Sequence, residues 1–310
     1  MELIRGLHNL HDSHRGCVAT IGNFDGVHLG HQTVLGQLAD KATEMGLPSL
    51  VMTFEPYPQE YFSHSESPPR LTRFREKIKA LSRYALDRVL CVKFNAALAQ
   101  TPAMAFIERI LIEGLDVRYL VVGDDFRFGH NREGDFALLQ QVGQQQGFQV
   151  VNLHTFEVDG HRVSSTRVRQ ALAEGDLGAA EKLLGRPYRM CGRVAHGDKR
   201  GRTIGFPTAN IHLHRKTSPV QGVYAVEMFG IEGEPLQGVA NVGNRPTVDG
   251  TRSLLEVHLF DFDREIYGAH VNIEFSQRIR AEKKFDSFEQ LKQQIEHDVE
   301  SAQAFFASRK

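Results

Sequence analysis

The 310-residue chain has no tryptophan and only three cysteines, Cys17, Cys91 and Cys191, none of them in a CxxC pair. Cysteines so sparse and scattered argue against a disulfide scaffold and against a zinc site, and they suit a reducing, cytoplasmic compartment. An excess of either charge is also missing: 37 Lys and Arg face 38 Asp and Glu, for a net charge of −1. A broad nucleic-acid-binding surface would need a basic surplus, so that partner class is disfavoured. Small anionic ligands stay allowed, because a few local donors are enough for them. No run approaches the ~18 consecutive apolar residues of a membrane span, and MELIRGLHNLHD lacks the basic-then-apolar order of a signal peptide. What is present instead is 28 glycines, many in short clusters, and 15 histidines.

The length suits two domains, at roughly 100–200 residues each. Residues 1–185 alternate short apolar runs with helical patterns. The runs are CVATIG (Gly16 to Gly22), LVMTF (Leu50–Phe54), VLCVKF (Val89–Phe94), Tyr119–Val122 and Phe148–Asn152. Between them Val34, Leu35, Leu38, Ala42 and Met45 share a helical face, as do Phe74, Ile78 and Leu81, then Phe106, Ile107, Ile110 and Leu111, then Phe136, Leu139 and Val142. Short, continuously apolar strands between amphipathic helices indicate a doubly wound α/β domain with a parallel sheet. Its ligand belongs beyond the carboxyl ends of the strands. After Gly185-Arg186-Pro187 the pattern changes. Runs at Gly222–Phe229, Leu236–Val242, Ser253–Phe262 and His270–Phe275 are separated by Gly, Pro and Asn clusters, which indicates an all-β sandwich or barrel over residues 186–310. Phe288, Leu291, Ile295, Val299 and Ala302 predict one closing helix.

The most informative stretch is GNFDGVHLGHQ, Gly22–Gln32, which joins the first strand to the first helix. Gly22, Gly26 and Gly30 let backbone approach a phosphate closely. His28 and His31 fall at the start of the helix, where free N–H groups and the positive helix end attract anions. Two imidazoles there can donate to phosphate oxygens as charge builds in phosphoryl or nucleotidyl transfer. A metal role for the pair has little support without a third ligand. RVSSTRVR, Arg162–Arg169, supplies Ser164, Ser165, Thr166 and Arg169 at another helix start, either simple capping groups or a second anion cradle. Two loops follow strands directly: Thr53-Phe54-Glu55-Pro56-Tyr57-Pro58, and Gly123 to Gly129 with Asp125, Phe126 and Phe128. Aromatic rings there suit stacking on a planar ligand or anchoring into the core, with equal weight.

In the second half, GRTIGFPTAN (Gly201–Asn210) places Thr208 and Asn210 on alternate positions, hence on one face. They are either capping groups of a turn or oxygens suited to Mg²⁺ carried by a phosphate, since Mg²⁺ takes few protein ligands. In SLLEVHLF, Leu255, Val257 and Leu259 share one face and Leu254, Glu256, His258 and Phe260 the other, so Glu256 is either a surface carboxylate or a general base for a substrate hydroxyl.

Taken together these motifs resemble one family, the bacterial bifunctional riboflavin kinases/FAD synthetases. GNFDGVHLGHQ carries an HxGH signature, and FEPYP, GDDFRFG and RVSSTRVR follow in the family's order. GRTIGFPTANI, GVYAV, GVANVGNRPTV, LEVHLFDF and RAEKKFDSFEQL are similar to its kinase half. The resemblance implies a Rossmann-like nucleotidyltransferase domain at 1–185 and a Greek-key β-barrel kinase domain at 186–310. It implies riboflavin, FMN and ATP as substrates, FMN and FAD as products, and Mg²⁺ with the ATP, and it leaves a homo-oligomer open. By motif match, His28 and His31 would stabilise the adenylyl transition state. Gly22, Asn23, Phe24, Asp25, Gly26 and Gly30 would line the ATP site, with Ser164, Ser165, Thr166 and Arg169 on its phosphates. Phe54, Pro56, Asp125 and Phe126 would lie near flavin or nucleotide. Gly201, Gly205, Phe206, Pro207, Thr208 and Asn210 would serve the kinase site, with Thr208 and Asn210 on the metal and Glu256 as base. An enzyme keeping one activity, or a flavin carrier without turnover, are the competing readings.

Overall fold

A computed structural model describes the chain except residues 64–66, 124, 154–155, 197–204, 216, 232, 248–249 and 310, and except the side chains of 153, 244–247 and 250–252. It divides into two compact units, Met1–Pro68 with Phe74–Val163, and Pro69–Arg73 with Ser164–Lys310.

The first unit is built on a six-stranded sheet, β1 (Glu2–Arg5), β2 (Cys17–Ile21), β3 (Ser49–Glu55), β4 (Arg88–Lys93), β5 (Val117–Gly123) and β6 (Gln149–Leu153), in the order β1-β4-β3-β2-β5-β6. All neighbours pair in parallel. Every residue of β2 is buried, as a strand covered on both faces requires. The chain leaves β2 towards β3 on one side and later returns to β5 on the other, so β2 borders the switch point where such sheets bind ligands. Helix α1 (Leu29–Met45) follows β2 and buries Leu35, Leu38 and Ala42; Gly46, at φ 61°, stops it with its N–H on the carbonyls of Ala42 and Thr43. Met45, expected on the packed face, is 36% exposed. Between β3 and β4 lie α2 (Pro58–Ser63) and α3 (Phe74–Leu81). Then come α4 (Ala96–Ala99), α5 (Ala103–Phe106) running into a π-helical stretch at Ile107–Gly114, and α6 (Phe136–Gln146). A small hairpin, β7 (Glu157–Val158) and β8 (His161–Arg162), completes the unit.

The second unit begins with α7 (Ser165–Glu174) and α8 (Leu177–Leu184). A closed antiparallel barrel follows, made of β9 (Arg189–Ala195), β10 (Ala209–His212), β11 (Gly222–Phe229), β12 (Leu236–Thr247), β13 (Gly250–Leu259) and β14 (His270–Arg280), in the order β10-β13-β12-β11-β14-β9. Strands β11 to β13 form a meander and β14 returns beside β11, a Greek-key connection. The inner face carries Tyr224, Val226, Leu255, Val257, Val271 and Ile273, all buried. Helix α9 (Phe288–Ala307) covers part of the outer face, where Ala302 and Phe306 pack with Val223, Ala225 and Val239. Phe288, expected on that face, is 57% exposed. Asp298 takes part in the docking instead: buried at 3% exposure, it accepts from Arg280 Nε at 2.9 Å and Nη2 at 2.8 Å. Arg215 ties the Pro69–Arg73 segment into this unit by donating to the carbonyls of Arg70 and Leu71.

Candidate active sites

In the first unit, the Gly22–His28 turn leaves the carboxyl end of β2 and enters α1. Its backbone is unusual: φ is 50° at Phe24, 82° at Gly26 and 43° at Val27. Glycine adopts that region freely, whereas phenylalanine and above all β-branched valine do not. Burial of Phe24 and Val27, at 2% and 0% exposure, holds them there. The turn delivers His28 as the N-cap of α1, with Nδ1 accepting from the His31 N–H at 3.3 Å. The two imidazoles stack, with centroids 3.7 Å apart and planes 15° from parallel, and Phe24 lies 4.9 Å from the His31 ring. His28 therefore precedes the helix, and the stack does not present two nitrogens as a metal-binding pair on one helix face. Among the described residues there is no cluster of three metal-ligating side chains. A Cβ on Gly30 would stand 3.3 Å from His28 Nδ1 and 3.5 Å from the Val163 carbonyl, so a side chain there would press on the His28 ring.

His31 is held well below the usual imidazole range, first by burial and then by the neighbouring His28 and the Lys77 ammonium. Its Nδ1 is buried with no hydrogen-bond partner among the described residues. A neutral ring with a buried, unpartnered Nδ1 carries its proton on Nε2, which leaves that nitrogen as a donor.

Behind the turn lies a group that the motif reading did not include. Lys77, on α3, has 0% exposure. It donates to the Asn23 carbonyl at 3.1 Å and to Thr53 Oγ1 at 2.9 Å, and its ammonium sits 4.5 Å from the Tyr57 ring centroid. Tyr57 Oη donates to Asp25 Oδ1 at 3.2 Å, and Asp25 is itself buried at 3% exposure. The signal was in the sequence: Lys77 falls between Phe74 and Leu81 on the apolar stripe of its helix, where a charge is out of place.

Other expected residues of this unit divide. Phe54 is nearly buried and meets Phe94 edge-on at 6.0 Å. Phe94 in turn carries Tyr61 at 5.4 Å and Phe62 at 5.7 Å, and Phe62 is 66% exposed. Phe94, Tyr61 and Phe62 follow β4 and β3 in the chain and were not singled out from the sequence. Pro56, in a cis peptide after Glu55, is part of the same turn. Asp125 is exposed and paired with Arg162 at 2.9 Å. Phe126 stacks on buried Phe128, which packs against Phe106; for Phe128 the core-anchor reading holds.

In the second unit, Ser164 is the N-cap of α7, with Oγ accepting from the Arg167 N–H at 3.3 Å. Ser165 and Thr166 form the first helical turn rather than sharing the cap. Arg169 is half anchored, its Nε donating to the Pro69 carbonyl at 2.8 Å.

The barrel gathers the remaining candidates by register. Glu256 on β13 pairs directly with Asn210 on β10 and with Asn241 on β12. Directly opposed residues share a face, so Glu256 lies between two amides on the outer side, while Leu255 and Val257 fill the interior. Asn241 was not anticipated, because register between distant strands is not written in either strand alone. Pro207 meets the same patch through its carbonyl, 2.9 Å from His258 Nδ1, and Phe206 packs edge-on to that imidazole at 5.3 Å. Gly205 and Thr208 flank them. Gly201 and the rest of GRTI lie outside the described residues, as does the Asn244 side chain. Thr208, Asn210 and Glu256 offer hard oxygen atoms, the ligand type that suits a Mg²⁺ keeping most of its waters.

A parallel α/β unit with two stacked imidazoles at a helix start, followed by a barrel with a carboxylate set between amides, is an arrangement suited to a two-site transferase. Comparison with known proteins narrows it. Residues 10–167 match the FAD synthetase family and residues 184–306 the riboflavin kinase family. A bifunctional riboflavin kinase/FMN adenylyltransferase of Haemophilus influenzae is 54% identical over 308 residues, 99% of this chain and 100% of that protein. One of the same name from Escherichia coli K12 is 51% identical over 311 residues, covering 100% of this chain and 99% of its own. A crystal structure from Streptococcus pneumoniae, described as a macrolide-efflux protein, superposes with a TM-score of 0.81 at 32% identity, covering 96% of this chain and 97% of that one. In the present chain, no helix among the described residues is long and apolar enough to cross a membrane. The chain belongs to the bifunctional riboflavin kinase/FMN adenylyltransferase family.

Proposed function

We propose that this chain makes FAD in two steps: it phosphorylates riboflavin with ATP to FMN, then adenylylates FMN with a second ATP and releases pyrophosphate. Residues 1–185 serve the adenylyl transfer and 186–310 the phosphorylation. The observation that carries the reading is the stacked His28–His31 pair on the N-terminus of α1, beyond a central strand, on the same chain as a carboxylate held in register between two amides.

Adenylyl transfer needs no protein nucleophile, because an FMN phosphate oxygen attacks the α-phosphorus as the bond to pyrophosphate breaks. Catalysis is then positioning and charge stabilisation. His31 Nε2–H, His28 and the free N–H groups of α1 donate to the phosphate oxygens as charge moves onto them. The Gly22–Gly26 turn and Gly30 admit the nucleotide; by motif match alone, Ser164, Ser165, Thr166 and Arg169 would serve its phosphates. The exposed aromatic group around Phe62 gives a flat flavin ring a face to stack on. In the kinase site the Glu256 carboxylate takes the proton of the ribityl 5′-hydroxyl, whose oxygen attacks the γ-phosphorus while ADP leaves. Thr208 and Asn210 would hold Mg²⁺, which neutralises phosphate charge when bound.

The test is to supply riboflavin, ATP and Mg²⁺ and to separate the flavins over time. FMN appearing first and FAD second, with one pyrophosphate per FAD, is the expected result. FMN without FAD removes the adenylyl assignment, and flavin binding without ATP consumption removes both.

A further inference from the structure

Among the groups the proposed chemistry does not use, buried Lys77 is the one most closely tied to the site. An ammonium removed from water is costly unless its donors are satisfied. Here its partners include the Asn23 carbonyl at 3.1 Å and Thr53 Oγ1 at 2.9 Å, with a ring face 4.5 Å away. Thr53 Oγ1 also donates to the Asn23 carbonyl, at 3.3 Å, so that oxygen accepts from two side chains at once. One residue further lies Phe24, in the left-handed region, and one beyond that is Asp25, held by Tyr57 Oη. The Tyr57 ring lies beside the Lys77 ammonium. Residues 23–25 are thus held at both ends from β3, from the loop after it and from α3. Left-handed φ values at Phe24 and Val27 cost of order 1 kcal/mol or more each, and such backbone persists only where surroundings over-determine it.

We infer that Lys77 is a positioning residue for adenylyl transfer: by clamping Asn23 it fixes the strained turn that sets the His28–His31 stack on the phosphates. The inference rests on the adenylyl reading of that site. The geometry gives it direction. Phe24 touches the His31 ring, and His28 caps α1 from the far end of the same turn, so slack at Asn23 reaches both imidazoles. The ammonium also acts electrostatically on the pair. It is one of the causes, after burial and His28, that keep His31 unprotonated. The groups bearing on that ring are thus His28, Phe24 and Lys77, with Asp25 in the same turn.

The experiment compares Lys77→Met, which keeps the stem and removes the ammonium, with the unaltered full-length chain. FAD formation from supplied FMN, ATP and Mg²⁺ is followed across pH, with thermal unfolding and riboflavin phosphorylation measured on the same samples. The expected result is a fall in kcat for FAD formation of about 100-fold, the scale of a misplaced catalytic group, larger than any change in KM for ATP. The acid limb of the pH profile moves to higher pH, because His31 without the neighbouring cation takes up a proton sooner. Riboflavin phosphorylation stays unchanged. Should activity fall only in step with the folded fraction, with the pH profile kept, Lys77 is a structural residue and the inference is overturned. If Lys77→Met does not fold, Thr53→Val decides, since it keeps the Lys77 charge and its own bond to Asn23 but loses both bonds that Thr53 Oγ1 makes in the clamp. A kcat lowered several-fold at unchanged melting temperature supports the inference, and an unchanged kcat overturns it. Failure of the unaltered chain to make FAD removes the functional reading instead, a separate outcome.

Discussion

The two units place their chemistry by opposite means. In the first, one contiguous turn carries nearly everything, and it does so in strained backbone: left-handed φ at Phe24, Gly26 and Val27, two stacked imidazoles and a buried lysine behind them. In the second, no strain of that kind is centred on Glu256. Its position follows from regular antiparallel register, with Asn210 and Asn241 on adjacent strands and the sheet closed into a barrel. A strained turn concentrates function in one sequence motif and makes it sensitive to changes in packing behind it. Register distributes function over segments far apart in sequence and makes it sensitive to side-chain identity but tolerant of small packing changes.

That contrast is open to experiment. Glu256→Gln keeps the shape and the register but removes the base, so riboflavin phosphorylation should fall by roughly 10²–10⁴-fold, the range for a positioned acid–base group. FAD formation from supplied FMN, measured on the same sample, should stay the same. Asp298→Ala leaves Arg280 without its buried carboxylate and should cost the second unit about 3 kcal/mol in urea unfolding, the lower end for breaking a buried pair because Arg280 keeps some contact with water. Gly30→Ala adds one methyl group at 3.3 Å from His28 Nδ1 and should slow FAD formation about 10-fold, as displaced catalytic groups do. A substitution of similar size on the outer barrel face beside Glu256 should do less to phosphorylation.

The smallest effect belongs to Glu227, which pairs directly with Glu274 across β11 and β14. Burial, then Glu274, raises the Glu227 carboxyl above its ordinary 4.5. A carboxyl raised in the folded state penalises folding above that raised value, and the penalty disappears as pH falls below about 4.5. Glu227→Gln should therefore stabilise the barrel by about 0.5 kcal/mol at neutral pH, the scale of a relieved cross-strand repulsion. Melting curves at pH 7 and pH 4 should show the gain at the first and not at the second.

How much of the fold is legible in the sequence follows from the same contrast. GNFDGVHLGHQ announced itself because its glycines, histidines and turn are contiguous, and the parallel sheet followed from the alternation of apolar runs and helical stripes. The edge strand β1 escaped because Glu2–Arg5 is too short and mixed to show a period. The inward and outward alternation of Leu255, Glu256 and Val257 was legible, since period 2 is local; the pairing of Glu256 with Asn241 was not, since register is set by the whole barrel. The Lys77 clamp joins residues from α3, β3 and two loops, and only its odd place on an apolar stripe hinted at it. Asp298 was hidden in the same way, an acid on a helix face whose partner Arg280 belongs to a strand.

The central claim is that the two sites work independently on one chain, and His28→Ala tests it most directly. Given riboflavin, ATP and Mg²⁺, this variant should accumulate FMN at the unaltered rate while FAD formation falls by about 10²–10³-fold, the scale of a lost transition-state donor. Equal loss of FMN and FAD formation in a folded sample would contradict the account.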